Sequence, residues 1–376
     1  MSGTTSDLTC DVAVIGGGVA GVSVAAELAA DRRVVLLEGE PRLGYHATSR
    51  AAAVHLPSYG GPVARALTLA SRPLFDRLAE AGRPRLLSPR PLLVVATDDG
   101  GERIVGDRVA ADVGLEPTDH AETLRWCPAL RPDVVRCGGL DVNGTEIDTA
   151  ALLAAYTRRI RRHGGTVVTA APVHRITRAA TGWELAAGRH RVSAATIVNA
   201  AGAWADEVAA LADVPPIGLQ PKRRTAFISP VHGFPDRHRW PLVADGQDRW
   251  YFKPDPGGVL VSPSDEAPSP PCDARPDETE IARAIDAVDQ ATTLGLRSVA
   301  HAWAGLRSFV RDGEPVVGAY DAIPDFHFAA GQGGYGLQLA PALARLAASL
   351  LLTGTVPADL TAQGIHITDV SPQRLS

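Results

Sequence analysis

Three glycines at the spacing Gly16-x-Gly18-x-x-Gly21 follow the β-branched apolar run Asp11-Val12-Ala13-Val14-Ile15 and open an alanine-rich stretch that reaches about Ala30. Each glycine has a mechanical reason: a tight turn, a backbone that can approach a pyrophosphate, and close packing of helix on strand. Phosphates then sit on the helix N-terminus, where free N–H groups and the helix dipole favour anions. Glu38 closes the next apolar run, Val34-Val35-Leu36-Leu37, where a carboxylate accepts hydrogen bonds from a ribose hydroxyl pair and repels a 2′-phosphate. The chemistry is dinucleotide binding with NADP disfavoured. These residues alone leave NAD and FAD open.

Other chemistries find no support. None of the 11 histidines falls in H-E-x-x-H spacing, and Cys10, Cys127, Cys137 and Cys272 form no C-x-x-C pair, so no metal site is expected. Gly-x-Ser-x-Gly is absent, which removes the hydrolase nucleophile elbow. A net charge of −5 argues against a nucleic-acid surface. The basic cluster Arg158, Arg159, Arg161, Arg162 reads as the C-terminal end of a helix, where cations suit the dipole. The charge-poor window from Phe328 to Ala344 carries glycines, glutamines and Pro341, which does not suit a membrane span. Unpaired cysteines and the lack of a basic-then-apolar leader point to a reducing cytoplasm.

The elements that must position the glycines form a βαβ unit with a right-handed crossover and parallel strands. A helix is expected from about Val63 to Ala81, ending near Gly82, and a strand over Leu92 to Ala96. A second helix should start at Asp148 as N-cap and run to Gly164-Gly165, leading into Thr166-Val167-Val168 and Thr196-Ile197-Val198. The segment Pro263 to Asp277, rich in Pro, Ser and Asp, reads as a mobile surface connection, with coverage of a substrate entrance as the other option. At 376 residues two domains are the default.

With Leu36-Leu37-Glu38, the stretches Gly44-Tyr45-His46-Ala47-Thr48-Ser49-Arg50, Asn199-Ala200-Ala201-Gly202-Ala203-Trp204, Trp303-Ala304-Gly305-Leu306-Arg307 and Gly331-Gln332-Gly333-Gly334-Tyr335-Gly336 complete a pattern over nearly the whole chain. It resembles the D-amino-acid oxidase superfamily of FAD enzymes, nearest to the D-arginine dehydrogenases, with glycine and sarcosine oxidases more distant. The resemblance implies an α/β fold: a Rossmann-like FAD-binding domain with a parallel sheet over residues 1–85, 146–218 and 305–376, and an α+β substrate domain with an antiparallel sheet over 86–145 and 219–304. It implies noncovalent FAD, hydride transfer from the amine-bearing carbon to flavin N5, and hydrolysis of the resulting imine. The late glycine cluster can present N–H groups and a positive helix end to the flavin N1–C2 carbonyl. A nicotinamide enzyme has no need of it.

By the same resemblance the cofactor residues are Gly16, Gly18, Val19, Ala20, Gly21, Glu38, Gly39, His46, Thr48, Ser49, Arg50, Ala51, Ala52, Val173, Ala200, Ala201, Gly202, Trp204, Arg307, Gly331, Gly333, Gly334, Tyr335, Gly336 and Gln338. Arg307 matches the carboxylate-binding arginine, whose planar fork fixes a carboxylate as lysine cannot. Tyr251 matches its partner tyrosine, Tyr59 a tyrosine on a mobile loop, and Arg224 a second active-site arginine. Gly334 would offer its carbonyl to the substrate amine. No side-chain base is assigned, since an amine can enter deprotonated when burial lowers its pKa.

Two positions depart from D-arginine dehydrogenase: Leu92 replaces a glutamate that meets the guanidinium, and Val54 replaces an active-site histidine. A cationic side chain buried on Leu92 would lack a partner. The expected substrate is therefore an apolar or bulky amino acid, either a D-amino acid or an N-substituted glycine, with oxygen or a quinone as acceptor. The alternative is glycine-oxidase-like cleavage of an N-carboxymethyl β-amino acid to glyoxylate and a free β-amino acid, with Arg224 or another cation on the second carboxylate. More distant rivals are a 2-hydroxy-acid oxidoreductase and a non-catalytic dinucleotide sensor.

Overall fold

The structure, a computed structural model, describes residues 6–79 and 85–376. The chain builds two eight-stranded sheets and a small three-stranded one. In the first large sheet, five parallel strands stand in the order Thr166–Val168, Val34–Leu37, Ser6–Ile15, His190–Asn199, Phe326–Ala330. The strands Val173–Arg178 and Trp183–Ala187 add an antiparallel flap to the first half of His190–Asn199, and Val316–Ala319 runs antiparallel to Phe326–Ala330.

Helices cover both faces of this sheet, which explains why its inner strands read as continuous apolar runs rather than alternating ones. Val12 and Val14 pack on one side with helices Val19–Leu28, Pro62–Leu78, Thr149–Arg162 and Gly336–Thr353. Ala13 and Ile15 pack on the other with Trp183, Leu185 and helix Ala205–Leu211. Asp148 caps its helix by accepting from the Ala151 N–H at 2.8 Å, and Arg159 near the other end pairs with Glu27 at 2.7 Å. The helix foreseen from Val63 to Ala81 spans Pro62–Leu78; its expected end at Ala81 and Gly82 lies outside the described residues. Gly336–Thr353 is apolar and long enough to cross a membrane by composition, but 67% of it is buried inside the protein.

The second large sheet runs His301–Phe309, Gln220–Ser229, Gly258–Ser262, Tyr251–Asp255, Leu242–Asp245, Leu92–Ala96, Cys137–Asp141, Glu116–Thr118. Every pairing is antiparallel, as expected of this sheet, except the parallel pair Leu242–Asp245 with Leu92–Ala96. His301–Phe309 is one continuous strand, so the boundary drawn between residues 304 and 305 cuts through an element of this sheet. The period of two divides the sheet cleanly. Leu93, Val95, Phe227, Val243, Phe252, Val259 and Val261 face a core closed by helix Glu278–Ala291. Leu92, Leu242, Ala244, Tyr251, Arg224, Ala226, Gly305 and Arg307 face the opposite way, toward the first sheet.

Pro263 to Asp277 contains no helix or strand, yet it is not loose. Asp265 is buried and accepts from the Thr225 N–H at 2.6 Å and the Thr225 hydroxyl at 3.0 Å. The Arg223 N–H donates to Ala267 O, the Ser269 N–H to Pro221 O, and Asp273 pairs with Arg50. The expected mobile connection is a strap held to strand Gln220–Ser229, because its acidic residues meet the arginines of that strand and of the Arg50 turn.

Candidate active site

A cavity of about 810 Å³ lies between the two large sheets. At one end it meets the C-terminal edge of the parallel strands, the usual place for a ligand in such sheets. Here the walls are backbone. A Cβ on Gly16 would stand 2.4 Å from Ala200 O, and Gly16 holds φ +106, so no side chain fits. A Cβ on Gly21 would stand 1.8 Å from Gly16 O; Gly21 stands off the cavity and serves the packing of helix on strand. The Val19 N–H is held by the Thr48 hydroxyl at 3.0 Å. Glu38 accepts from the Gly17 N–H at 2.6 Å through one oxygen and from the Glu40 N–H at 2.8 Å through the other, leaving one lone pair on each oxygen for a further donor.

Of the residues grouped with the cofactor, Gly16, Gly18, Val19, Ala20, Glu38, Gly39, His46, Thr48, Arg50, Ala51, Ala52, Val173, Ala200, Ala201, Gly202, Trp204, Arg307, Gly333, Gly334, Gly336 and Gln338 line the cavity. Ser49, Gly331 and Tyr335, like Gly21, do not. Ser49 is exposed to solvent, Gly331 makes a turn at φ +71, and Tyr335 packs edge-on against Tyr59 with ring centroids 5.4 Å apart. Gln338 is buried, accepting from the Leu56 N–H at 3.1 Å and donating to Tyr59 O at 3.3 Å. It thereby holds the loop that carries Tyr59. His46 is tied to Glu40 at 3.0 Å and leans on the Trp204 ring.

The other end of the cavity carries the charged groups. Arg307 lies opposite Lys222 and Arg224 opposite Gly305 in the paired strands, which puts both arginines on one face as diagonal neighbours. Burial works to lower the Arg307 pKa, but the oxygens of Tyr59 and Tyr251 outweigh it and hold the guanidinium charged. Gly334 crosses directly over Arg307: a Cβ there would lie 2.9 Å from Arg307 Cζ. Arg224 is already engaged, donating to Asp265 O at 2.9 Å and to Glu266 at 3.0 Å. Leu92, Leu56, Leu242, Ala244 and Val54 form an apolar wall beside Tyr251.

At this end of the cavity sequence reasoning missed two charged residues, Arg108 in the last turn of helix Asp99–Ala110 and Asp248 in the turn before Tyr251–Asp255. Burial lowers the Arg108 pKa, with Asp248, Tyr59 and Asp141 opposing. Desolvation raises that of Asp248, against the pull of Arg108, Arg224 and Arg307. In the structure Asp248 is a non-glycine residue at φ +55, in the turn that sets it at the cavity.

The family model described as FAD dependent oxidoreductase matches residues 11–350. The chain belongs to that family. The residues fit the cofactor: a glycine-walled cradle, a carboxylate with free lone pairs at the second strand, and a second helix start at Gly336 on the same cavity. A curated relative, glycerol-3-phosphate dehydrogenase 1 of Mycobacterium tuberculosis, is 30% identical over 340 residues, covering 81% of this chain and 63% of its own length. Two solved structures share the fold: L-proline dehydrogenase from P. horikoshii, at TM-score 0.81 and 19% identity over 99% of this chain and 98% of that one, and glycine oxidase from Geobacillus kaustophilus, at TM-score 0.81 and 21% identity over 92% and 95%. The chain thus shares the fold of these enzymes and spans about 63% of the length of the curated relative it matches.

Proposed function

We propose that the protein oxidises the C–N bond next to a carboxylate in an amino acid with an apolar or bulky substituent, a D-amino acid or an N-substituted glycine. The observation that carries this reading is Arg307, half-buried at the cavity end beside Tyr59 and Tyr251 with Gly334 across it. Arg307 takes the carboxylate through its planar fork, Tyr251 and Tyr59 complete its oxygen shell, and the Gly334 carbonyl accepts from the amine. The positive charge of Arg307 disfavours an ammonium, so the amine binds neutral without a side-chain base. The apolar wall of Leu92, Leu56 and Leu242 takes the substituent and offers a guanidinium no partner.

FAD supplies the two-electron acceptor when bound. In this reading Gly16, Gly18, Val19 and Ala20 hold its pyrophosphate, Glu38 and Gly39 its ribose, Val173 its adenine side, and Gly333, Gly334 and Gly336 the ring end. Because His46 is engaged by Glu40 and Trp204, FAD is held noncovalently; a yellow pellet after acid precipitation would overturn this.

A second reading, oxidation of a C–O bond, is favoured by the likeness to glycerol-3-phosphate dehydrogenase. Anaerobic flavin bleaching separates the two. D-leucine, D-phenylalanine and N-substituted glycines should bleach the flavin with release of a keto acid or glyoxylate. Bleaching by glycerol 3-phosphate or a 2-hydroxy acid alone would overturn amine oxidation, and preference for D-arginine over D-leucine would overturn the apolar substituent.

A further inference from the structure

Three arginines open onto the charged end of the cavity, and their partners differ. Arg307 has Tyr59 and Tyr251 beside it and Glu266 acting from farther off, and Arg224 shares the Glu266 carboxylate with Lys222. Arg108 has one long hydrogen bond, 3.5 Å to Ser58 O, and no carboxylate in contact among the described residues. Its neighbours Asp141 and Asp248 act on it only through space. Asp141 is itself occupied, accepting from the Ser58 N–H at 3.2 Å and the Asn143 N–H at 2.9 Å. The Asp248 carboxyl has no hydrogen bond of its own among the described residues, and the turn holds it toward the cavity.

A guanidinium has five donors in a fixed fork, and a desolvated one without an acceptor is costly to keep. Arg108, half-buried and holding only the long bond to Ser58 O, stands beside the wall of Leu56, Leu92 and Leu242. Arg307, Arg108, Tyr59 and Asp248 line the same cavity, so the two forks border one space. We propose that Arg108 anchors a second carboxylate at the far end of the substrate, which makes the preferred substrates dicarboxylic amines. The first carboxylate lies on Arg307, the apolar stretch along Leu92, and the second on Arg108. This proposal rests on amine oxidation at Arg307 as read above.

The test compares matched pairs on the FAD-loaded enzyme: D-glutamate against D-glutamine, and N-carboxymethyl-β-alanine against N-propylglycine. The wild type should favour the dicarboxylic member of each pair in kcat/KM. Arg108→Gln should lower that preference by about 10- to 100-fold, chiefly through KM, as expected for a charged hydrogen-bonded pair. Arg108→Lys, which keeps the charge and loses the fork, should lower it less. A preference unchanged in Arg108→Gln would overturn the proposal, because a mere brace for the Ser58–Tyr59 loop weakens both members alike. So would a wild-type preference for D-lysine that Asp248→Asn removes, which would make this end a cation site. If no amine bleaches the flavin and glycerol 3-phosphate does, amine oxidation falls with it; if the neutral members react as well as the acidic ones, only the role of Arg108 falls.

Discussion

Arg307 shows how little a single residue means until its surroundings are known. Its place in Trp303-Ala304-Gly305-Leu306-Arg307 suggested a carboxylate fork, and the strand register turns it to the cavity face beside Tyr59 and Tyr251. Lysine at this position keeps a charge but loses the bidentate geometry. Arg307→Lys should therefore cut kcat/KM for carboxylate substrates by about 100-fold while the bound-flavin spectrum persists; saturation unchanged by the substitution would remove the fork from the mechanism. Arg108 and Asp248 escaped notice because nothing in Asp107-Arg108-Val109 or Gln247-Asp248-Arg249 marks them locally. Their importance lies in sharing one cavity although 140 positions separate them, arithmetic that only the fold performs (248 − 108).

Among the elements, the strap from Pro263 to Asp277 links the substrate sheet to the cofactor end. Ser264, Cys272 and Ala274 line the cavity, and Arg50 holds the strap through Asp273 and Ala274 O at 3.1 Å while also donating to Ala304 O at 2.9 Å. An ion pair with an exposed carboxylate is worth little alone. The two carbonyl bonds of a half-buried guanidinium add more. Arg50→Ala should free the middle of the strap, speed cleavage within residues 266–276 by a protease, and raise the dissociation rate of FAD by about tenfold. Unchanged cleavage and FAD retention would mean that Asp265 on Thr225 suffices.

At the scale of the whole molecule, the cavity joins the two sheets, so cofactor binding and folding are coupled. FAD at 100 times its Kd stabilises the folded protein by about 2.7 kcal/mol, and stripping it should lower Tm by several degrees; an apoprotein with the same Tm would contradict that coupling. Acid should also destabilise the fold before the carboxylates titrate. Burial depresses the pKa of His55, which bonds to Thr68 O at 3.0 Å and leaves Nδ1 without a partner, and burial likewise depresses His327. The folded state prefers the neutral rings, while the unfolded chain takes up protons near 6.5. Their stabilising share is thus complete above that pH and is lost as pH falls toward the depressed folded values, at about 1.4 kcal/mol per unit of depression. Tm measured from pH 7.5 to 5 should fall, and His55→Gln with His327→Gln should flatten the slope; an equal slope in the variant would assign it to other groups.

The sequence by itself determined what depends on near neighbours. Gly16, Gly18, Gly21 and Glu38 announce the dinucleotide cradle because turn, helix start and strand end lie within one βαβ unit, and Val34–Leu37, Leu92–Ala96 and Thr166–Val168 fall where their apolar runs end. What depends on distant segments meeting was decided by tertiary structure alone: the parallel pairing of Leu242–Asp245 with Leu92–Ala96, the strap pinned to Thr225, and the convergence of Arg108, Asp248 and Arg307 on one cavity. The physical reason is range. Turn geometry and periodicity are written within a few residues, whereas the field and the free hydrogen-bond capacity at a site are sums over side chains that only packing brings together.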